Sequence, residues 1–302
     1  MRRPSPRRRL RRLTSRLFTV LCIACVAIAL LPLGSILYST IDRGLPALNV
    51  GVLTSSGPPS AICQANAICT QGGIENAIIG TVVLVALAGL VAFPVGIFTG
   101  IFLSEYGDNR LGRGMRFFVN VMSGVPSIIV GIVVYTFMVY LAQANIIQPQ
   151  YIYSTFAGSF ALGLIMVPVV ARTTDESLRL VPTSTREAAY SLGISRPRAI
   201  LSVVLPTAGS GVLTGALLAT ARAAGETAPL LVTAFGNNFG FQGLDHPIAA
   251  LPLIIFYYGI SGVPRYEALA WASAFVLVVA MLALSLGARY GLSRTRAKAA
   301  NR

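Results

Sequence analysis

The chain has 302 residues, 55% of them hydrophobic and only 11% charged, against roughly 25% charged residues in a soluble globular protein. Too few charges remain to cover a water-facing surface, which excludes an ordinary cytosolic enzyme, a disordered chain and a collagen-like or coiled-coil fibre. The net charge is +14, carried almost wholly by Arg, while one His (His246) and one Lys (Lys298) exclude a multi-histidine metal site and a Gly-Lys-Ser/Thr Walker A loop, and no cofactor is expected.

A basic tail, residues 1–16, opens the chain with 8 Arg. The first apolar span follows at 17–40, and a helix needs about 20 such residues to cross a bilayer core. Its apolar core exceeds the roughly 7–15 residues of a cleaved signal, so it reads as an uncleaved helix. Cys22 and Cys25 lie within it as small apolar residues. An outer loop over 41–76, rich in Gly, Pro, Ser and Asn, carries Cys63 and Cys69. Outside the membrane those two face an oxidising compartment, so a local disulfide and two free thiols both stay open. The second span is 77–103. An uncharged run over 117–171 holds two more, 117–142 and 154–171, divided by Gln143, Asn145, Gln148 and Gln150. A long loop over 172–205 precedes the fifth span at 208–235. Residues 248–260 are apolar but too short to cross and suit a re-entrant or interfacial helix. The sixth span is 268–289, before a basic tail at 291–302. The expected fold is an all-α membrane protein with six transmembrane helices and one permease-sized unit over 17–290.

Twenty-one of the 24 basic residues fall on one side of this arrangement. They occupy the two tails, the loop with Arg110, Arg113 and Arg116, and the loop over 172–205. Cytoplasmic loops collect Arg and Lys, so both termini are expected in the cytoplasm of a prokaryotic inner membrane. That reading accounts for the charge without nucleic acid.

Two places depart from the pattern. Arg222 and Glu226 stand inside the fifth span, where each unpaired charge costs roughly 2.5–3.5 kcal/mol on insertion scales. Their i, i+4 spacing puts them on one helix face about 6 Å apart along the axis. Pro229 has no N–H and frees the carbonyl of Gly225. Such a face belongs on a water-filled cavity or a helix interface. Two readings stay open: an ion pair that locks packing, and an anion-handling site in which the planar fork of Arg222 holds an oxyanion. The loop over 172–205 is the second place. Ser184 with Glu187 reads as a capping box, Ala188 and Ala189 keep one side thin, Gly193 fits a helix stop, and Ser195 with Pro197 starts another helix. The expectation is a helix–turn–helix on the membrane surface, shaped to dock into another protein.

Glu187-Ala188-Ala189-x3-Gly193-x9-Val203-x-Leu205-Pro206 resembles the EAA loop of ABC-importer permeases, with Val203 in place of the usual Ile. Further stretches narrow the resemblance to the PstA family, the A-type permeases of phosphate-specific importers. They are Gly72-Gly73-Ile74 with Asn76, Gly100 to Tyr106, Gly124 to Ile128, Arg172 to Glu176, Ala221-Arg222-x-x-Gly225-Glu226-Thr227-Ala228-Pro229-Leu230, and Pro247 to Pro252. The resemblance runs from about 70 to 290 and leaves the outer loop 44–70 outside it. It implies a MetI-like type I importer permease that moves inorganic phosphate into the cell. Its implied partners are a PstC-like second permease, a PstB-like ATPase dimer and a PstS-like extracytoplasmic phosphate-binding protein. It implies substrate-pathway roles for Arg222, Glu226, Arg172 and Thr227, and ATPase coupling through Glu187, Ala188, Ala189 and Gly193. The chain itself is then no enzyme, and its ATPase is a separate subunit. The rival readings are a permease for sulfate or molybdate and a proton-coupled anion carrier titrating Glu226. An intramembrane protease is disfavoured, because the expected spans hold no Asp and His246 falls in an outer loop.

Overall fold

A computed structural model describes residues 6–60, 72–238 and 240–300. Twelve α-helices carry the described chain, joined by one 3-10 and one π turn, with an isolated bridge between Phe235 and Ile248 and no strand among the described residues. They are α1 Pro6–Ala47, α2 Val50–Thr54, α3 Glu75–Glu105, α4 Arg110–Gly124, α5 Ser127–Gln143, α6 Thr155–Arg179, α7 Thr183–Ser191, α8 Arg196–Ala199, α9 Leu205–Ala224, α10 Ala228–Thr233, α11 Leu251–Gly259 and α12 Pro264–Ala300. Five stretches are long and apolar enough to cross a membrane, and the bent pair α4–α5 makes a sixth.

The bend corrects the third expected span. Residues 117–142 do not form one straight helix; α4 and α5 meet at 104°. Pro126 is the cause: it has no N–H to donate and pushes Val125 into extended backbone at φ −70°, ψ 130°. The three arginines expected in a loop before that span instead lie in α4, which Asn109 caps through the Gly112 amide at 2.8 Å.

The fifth span is corrected at both ends. One continuous helix runs from Arg196 to Ala224 through a π turn at Ile200–Val204. It stops at Gly225, and α10 restarts at Ala228 with Pro229 in its first turn. A proline there starts a helix readily but interrupts one that is already running. The fourth span does not end at 171: α6 continues to Arg179. Two i, i+4 pairs support the added turns, Arg172 with Glu176 and Asp175 with Arg179. The short segment 248–260 yields α11, a nine-residue helix buried along most of its length and too short to cross.

The core forms around α6. Leu162, Met166 and Val170 pack with Leu84, Ala88 and Ala92 of α3, Ala219 and Ala223 of α9, and Leu230 of α10. Small residues permit this closeness. Gly100 of α3 faces Thr174 and the Ala171 carbonyl, and Gly215 of α9 faces Thr173. A second cluster joins Ile74, the N-cap of α3, and Ala77 of α3 to Leu251 and Ile254 of α11 and to Leu269 and Ala272 of α12. The apolar stretch of α1 is uncovered by the rest of the chain. Gly44 of α1 packs on the Trp271 carbonyl of α12, and Arg43 lies over the Trp271 ring, 5.3 Å from its centroid.

Candidate functional site

The break between α9 and α10 builds the first site. Arg222 stands in the last turn of α9, where the helix dipole favours a cation. Gly225 caps that helix, its amide donating to the Arg222 carbonyl at 3.1 Å. Glu226 follows as the first residue past the cap, its amide bonded to the Ala223 carbonyl at 3.2 Å. Arg222 Nε donates to Glu226 Oε1 at 3.2 Å. The pair expected from the spacing is therefore made, but across a helix end and not along one continuous helix. Thr227 is the N-cap of α10, which presses Pro229 against Gly131 of α5.

Height and exposure distinguish this pair. Ala219 and Ala223, which flank Arg222, pack beside Leu162 and Met166 near the middle of α6. The charges thus sit deep along the bundle. Their side chains are 43% exposed at Arg222 and 16% at Glu226. The same face of α9 exposes Thr207, Thr214, Leu218 and Gly225, at spacings that fall on one helical stripe. A half-exposed charge at this depth requires water or another protein, because lipid would impose the full burial cost.

Arg172 lies elsewhere on the bundle. It pairs with Glu176, Nε to Oε1, at 3.0 Å, and both side chains are well exposed. Its neighbour Thr173 abuts Gly215 of α9, seven residues before Arg222, which places the two arginines roughly 10 Å apart in height at 1.5 Å per residue. Each arginine thus keeps its own carboxylate.

The second site is the tip formed by α7 and α8. The capping box is not formed: Pro182 is the N-cap, no side chain caps the helix, and Ser184 lies inside the first turn. Pro182 sets the start two residues earlier than the Ser184 hydroxyl requires. The helix stop is formed. Gly193 has φ +75°, its amide donates to the Tyr190 carbonyl at 2.9 Å, and the Ile194 amide donates to the Ala189 carbonyl at 3.2 Å. Those two bonds are a Schellman motif, which needs a left-handed residue and so favours glycine. Ser195 precedes α8 with Pro197 in its first turn and makes no side-chain cap. Glu187 and Ala188 face outward, and Ala189 is buried. A groove of about 460 Å³ runs between Ala188, Ala189, Leu192, Ile194 and Val203. Leu192 at its rim is 80% exposed; sequence reasoning passed over it, although an apolar residue beside the stop glycine was a visible signal.

A third cluster was not anticipated. Arg186 of α7 bonds Glu105 at the end of α3, Nη2 to Oε1, at 2.9 Å. Asp175 pairs with Arg179 at 2.8 Å and Arg116 at 3.7 Å. At the opposite end of the bundle, the His246 imidazole lies 2.9 Å from Asp245 and holds that carboxyl below its ordinary range, with a backbone hydrogen bond adding to the effect. Cys63 and Cys69 lie outside the described residues, while Cys22 and Cys25 of α1 are exposed free thiols.

Comparison with known proteins places this geometry. The family described as the binding-protein-dependent transport system inner membrane component matches residues 92–297. The phosphate transport system permease protein PstA of Xylella fastidiosa (strain Temecula1 / ATCC 700964) is 40% identical over 96% of each chain. The chain belongs to the PstA family of ABC-transporter permeases. A PstA of Yersinia pestis is 39% identical, over 92% of this chain and 90% of that one. Among solved structures, a bacterial ABC transporter for alginate import aligns with TM-score 0.60 at 16% identity, covering 95% of this chain and 99% of that one. The inward-facing MetNI methionine transporter aligns with TM-score 0.57 at 18% identity, covering 73% and 96%. These two establish the type I importer permease fold. This permease is accordingly a multi-pass inner-membrane component of a multi-subunit transport system, and its relatives are transport subunits and not enzymes.

Proposed function

We propose that this permease forms one half of the transmembrane path of an ATP-driven importer of inorganic phosphate. The observation that supports the reading best is the Arg222–Glu226 pair, deep in the bundle and half-exposed on a face that the chain does not cover. A PstC-like second permease would cover that face, so the stripe of α9 that carries Arg222 would line a shared path. Arg222 would receive the anion through its planar fork, two parallel N–H groups meeting two phosphate oxygens. Glu226 would hold the guanidinium when the path is empty. It would also repel the bound anion, which must leave as readily as it enters. Thr227, at the start of α10, would offer a hydroxyl beside the same opening. Arg172 would meet the anion roughly 10 Å further along, where it leaves.

The arginine-rich end of the bundle would be cytoplasmic, with both termini there. A PstB-like ATPase dimer would take the α7 tip, with Glu187, Ala188, Ala189 and Gly193 in the contact. ATP hydrolysis belongs to that partner, since this chain has no Gly-Lys-Ser/Thr loop. A PstS-like binding protein would deliver phosphate to the opposite end. The relatives named for phosphate favour this anion over sulfate or molybdate. The test is ATP-driven uptake by the purified four-component complex in proteoliposomes. Phosphate should enter only with ATP and binding protein present, and excess sulfate should leave the rate unchanged. Uptake that persists without ATP, driven by a proton gradient, would favour the secondary-carrier reading and end this one.

A further inference from the structure

We propose that Glu105 is a positioning residue for transport: the joint through which the coupling helix α7 moves the transmembrane helices. The idea rests on the functional reading above. Glu105 ends α3, and its side chain is only 5% exposed. It accepts from Arg186 Nη2 at 2.9 Å and from Nε at 3.3 Å. The same guanidinium reaches the end of α6, donating to the Val181 carbonyl at 2.6 Å and the Leu178 carbonyl at 2.8 Å. One side chain of the coupling helix is therefore bonded to both α3 and α6. Beyond the turn, Arg196 donates to the Glu105 backbone carbonyl and lies over the Tyr106 ring, 4.6 Å from its centroid. The last residues of α3 thus hold the α7–α8 element where it begins and where it returns.

Packing stability alone does not call for this arrangement. The final carbonyls of a helix can bond water at a surface, and a buried ion pair adds little net stability over apolar packing. What the arrangement supplies is stiffness with direction. An arginine side chain only 16% exposed with all three partners engaged has few alternative positions, so a push on α7 is delivered to α3 and α6 together. From there the close glycine contacts carry it on: Gly100 of α3 on Thr174 of α6, and Thr173 of α6 on Gly215 of α9. Arg222 stands at the far end of α9. Arg116 and Arg179 brace the same place by sharing the Leu103 carbonyl, at 2.9 and 3.1 Å.

The test uses the complete complex in proteoliposomes and reads phosphate moved per ATP hydrolysed in one preparation. Glu105→Gln keeps size and one acceptor but loses the charge. Arg186→Lys keeps the charge but replaces three nitrogens that make four bonds with a single ammonium. Both variants should assemble by size exclusion and still hydrolyse ATP. Phosphate moved per ATP should fall about tenfold, within the usual range of coupling between distant sites. A merely structural joint would lower both activities in step with assembly and leave that ratio at its wild-type value. A wild-type ratio in the assembled variants, or a loss that only tracks failed assembly in both, overturns the proposal. A wild-type complex that moves no phosphate overturns the functional reading itself, and the proposal with it.

Discussion

Arg222 carries the proposed contact with the anion. Its carboxylate partner is 3.2 Å away, yet the guanidinium keeps donors free for a second acceptor. Lysine at this position would retain the charge and lose the fork. A hydrogen bond to a charged group contributes about 1.5–3 kcal/mol, so losing one arm should slow uptake about tenfold or more. Arg222→Lys is therefore expected to assemble normally and transport poorly, as read by size exclusion and by phosphate uptake in proteoliposomes. Equal uptake would show that charge alone suffices. The pair was legible in the sequence because two charges inside an apolar run carry an insertion cost that demands a partner. Glu105 was not legible in that way. It ends an apolar span as any flanking charge does, and its partner Arg186 is 81 residues further along the chain.

Helices show the same division between local signals and distant ones. The stop at Gly193 was readable because a left-handed position at a helix end selects glycine. Nothing lies within 4 Å of a Cβ placed there, so Gly193→Leu is costly through backbone conformation, by roughly 1–2 kcal/mol, and not through a clash. It should tilt the α7 tip and lower both transport and stimulated ATP hydrolysis in a complex that still assembles. Normal coupled transport in that variant would remove the tip from the coupling role. Gly100 presents the contrary case, because a Cβ there meets Thr174 and the Ala171 carbonyl of α6. Gly100→Leu should separate α3 from α6 at a cost of about 1–3 kcal/mol, seen as a lower Tm and a reduced yield of the complex. An unchanged Tm would contradict the packing described for these helices. Helix ends were the weaker part of the sequence reading. Composition marks where apolar runs stop, whereas Pro126, Pro182 and Pro229 set helix starts by removing donors. The two i, i+4 ion pairs likewise extend α6 past its apolar limit.

The whole bundle offers surfaces that one chain cannot satisfy. The apolar stretch of α1 is uncovered by its own chain, as lipid or a second subunit would require. The face of α9 that carries Arg222 is uncovered too, and lipid does not suit a charge there. The orientation proposed from the arginines can be read by cysteine chemistry. In intact cells treated with a reductant, a membrane-impermeant thiol reagent should label Cys63 or Cys69 and leave Cys22 and Cys25 untouched. Labelling of the outer-loop cysteines only in inverted vesicles would reverse the orientation. Whether the passing anion meets Arg222 is read from phosphate uptake by the double variant Arg222→Met, Glu226→Leu in purified, reconstituted complex. Replacing even a buried ion pair by apolar residues of similar volume is often tolerated for stability, and this pair is only partly buried, so assembly should survive and size exclusion should show it. Phosphate uptake should be abolished. An assembled double variant that takes up phosphate at the wild-type rate would contradict the account and leave the pair as a packing element.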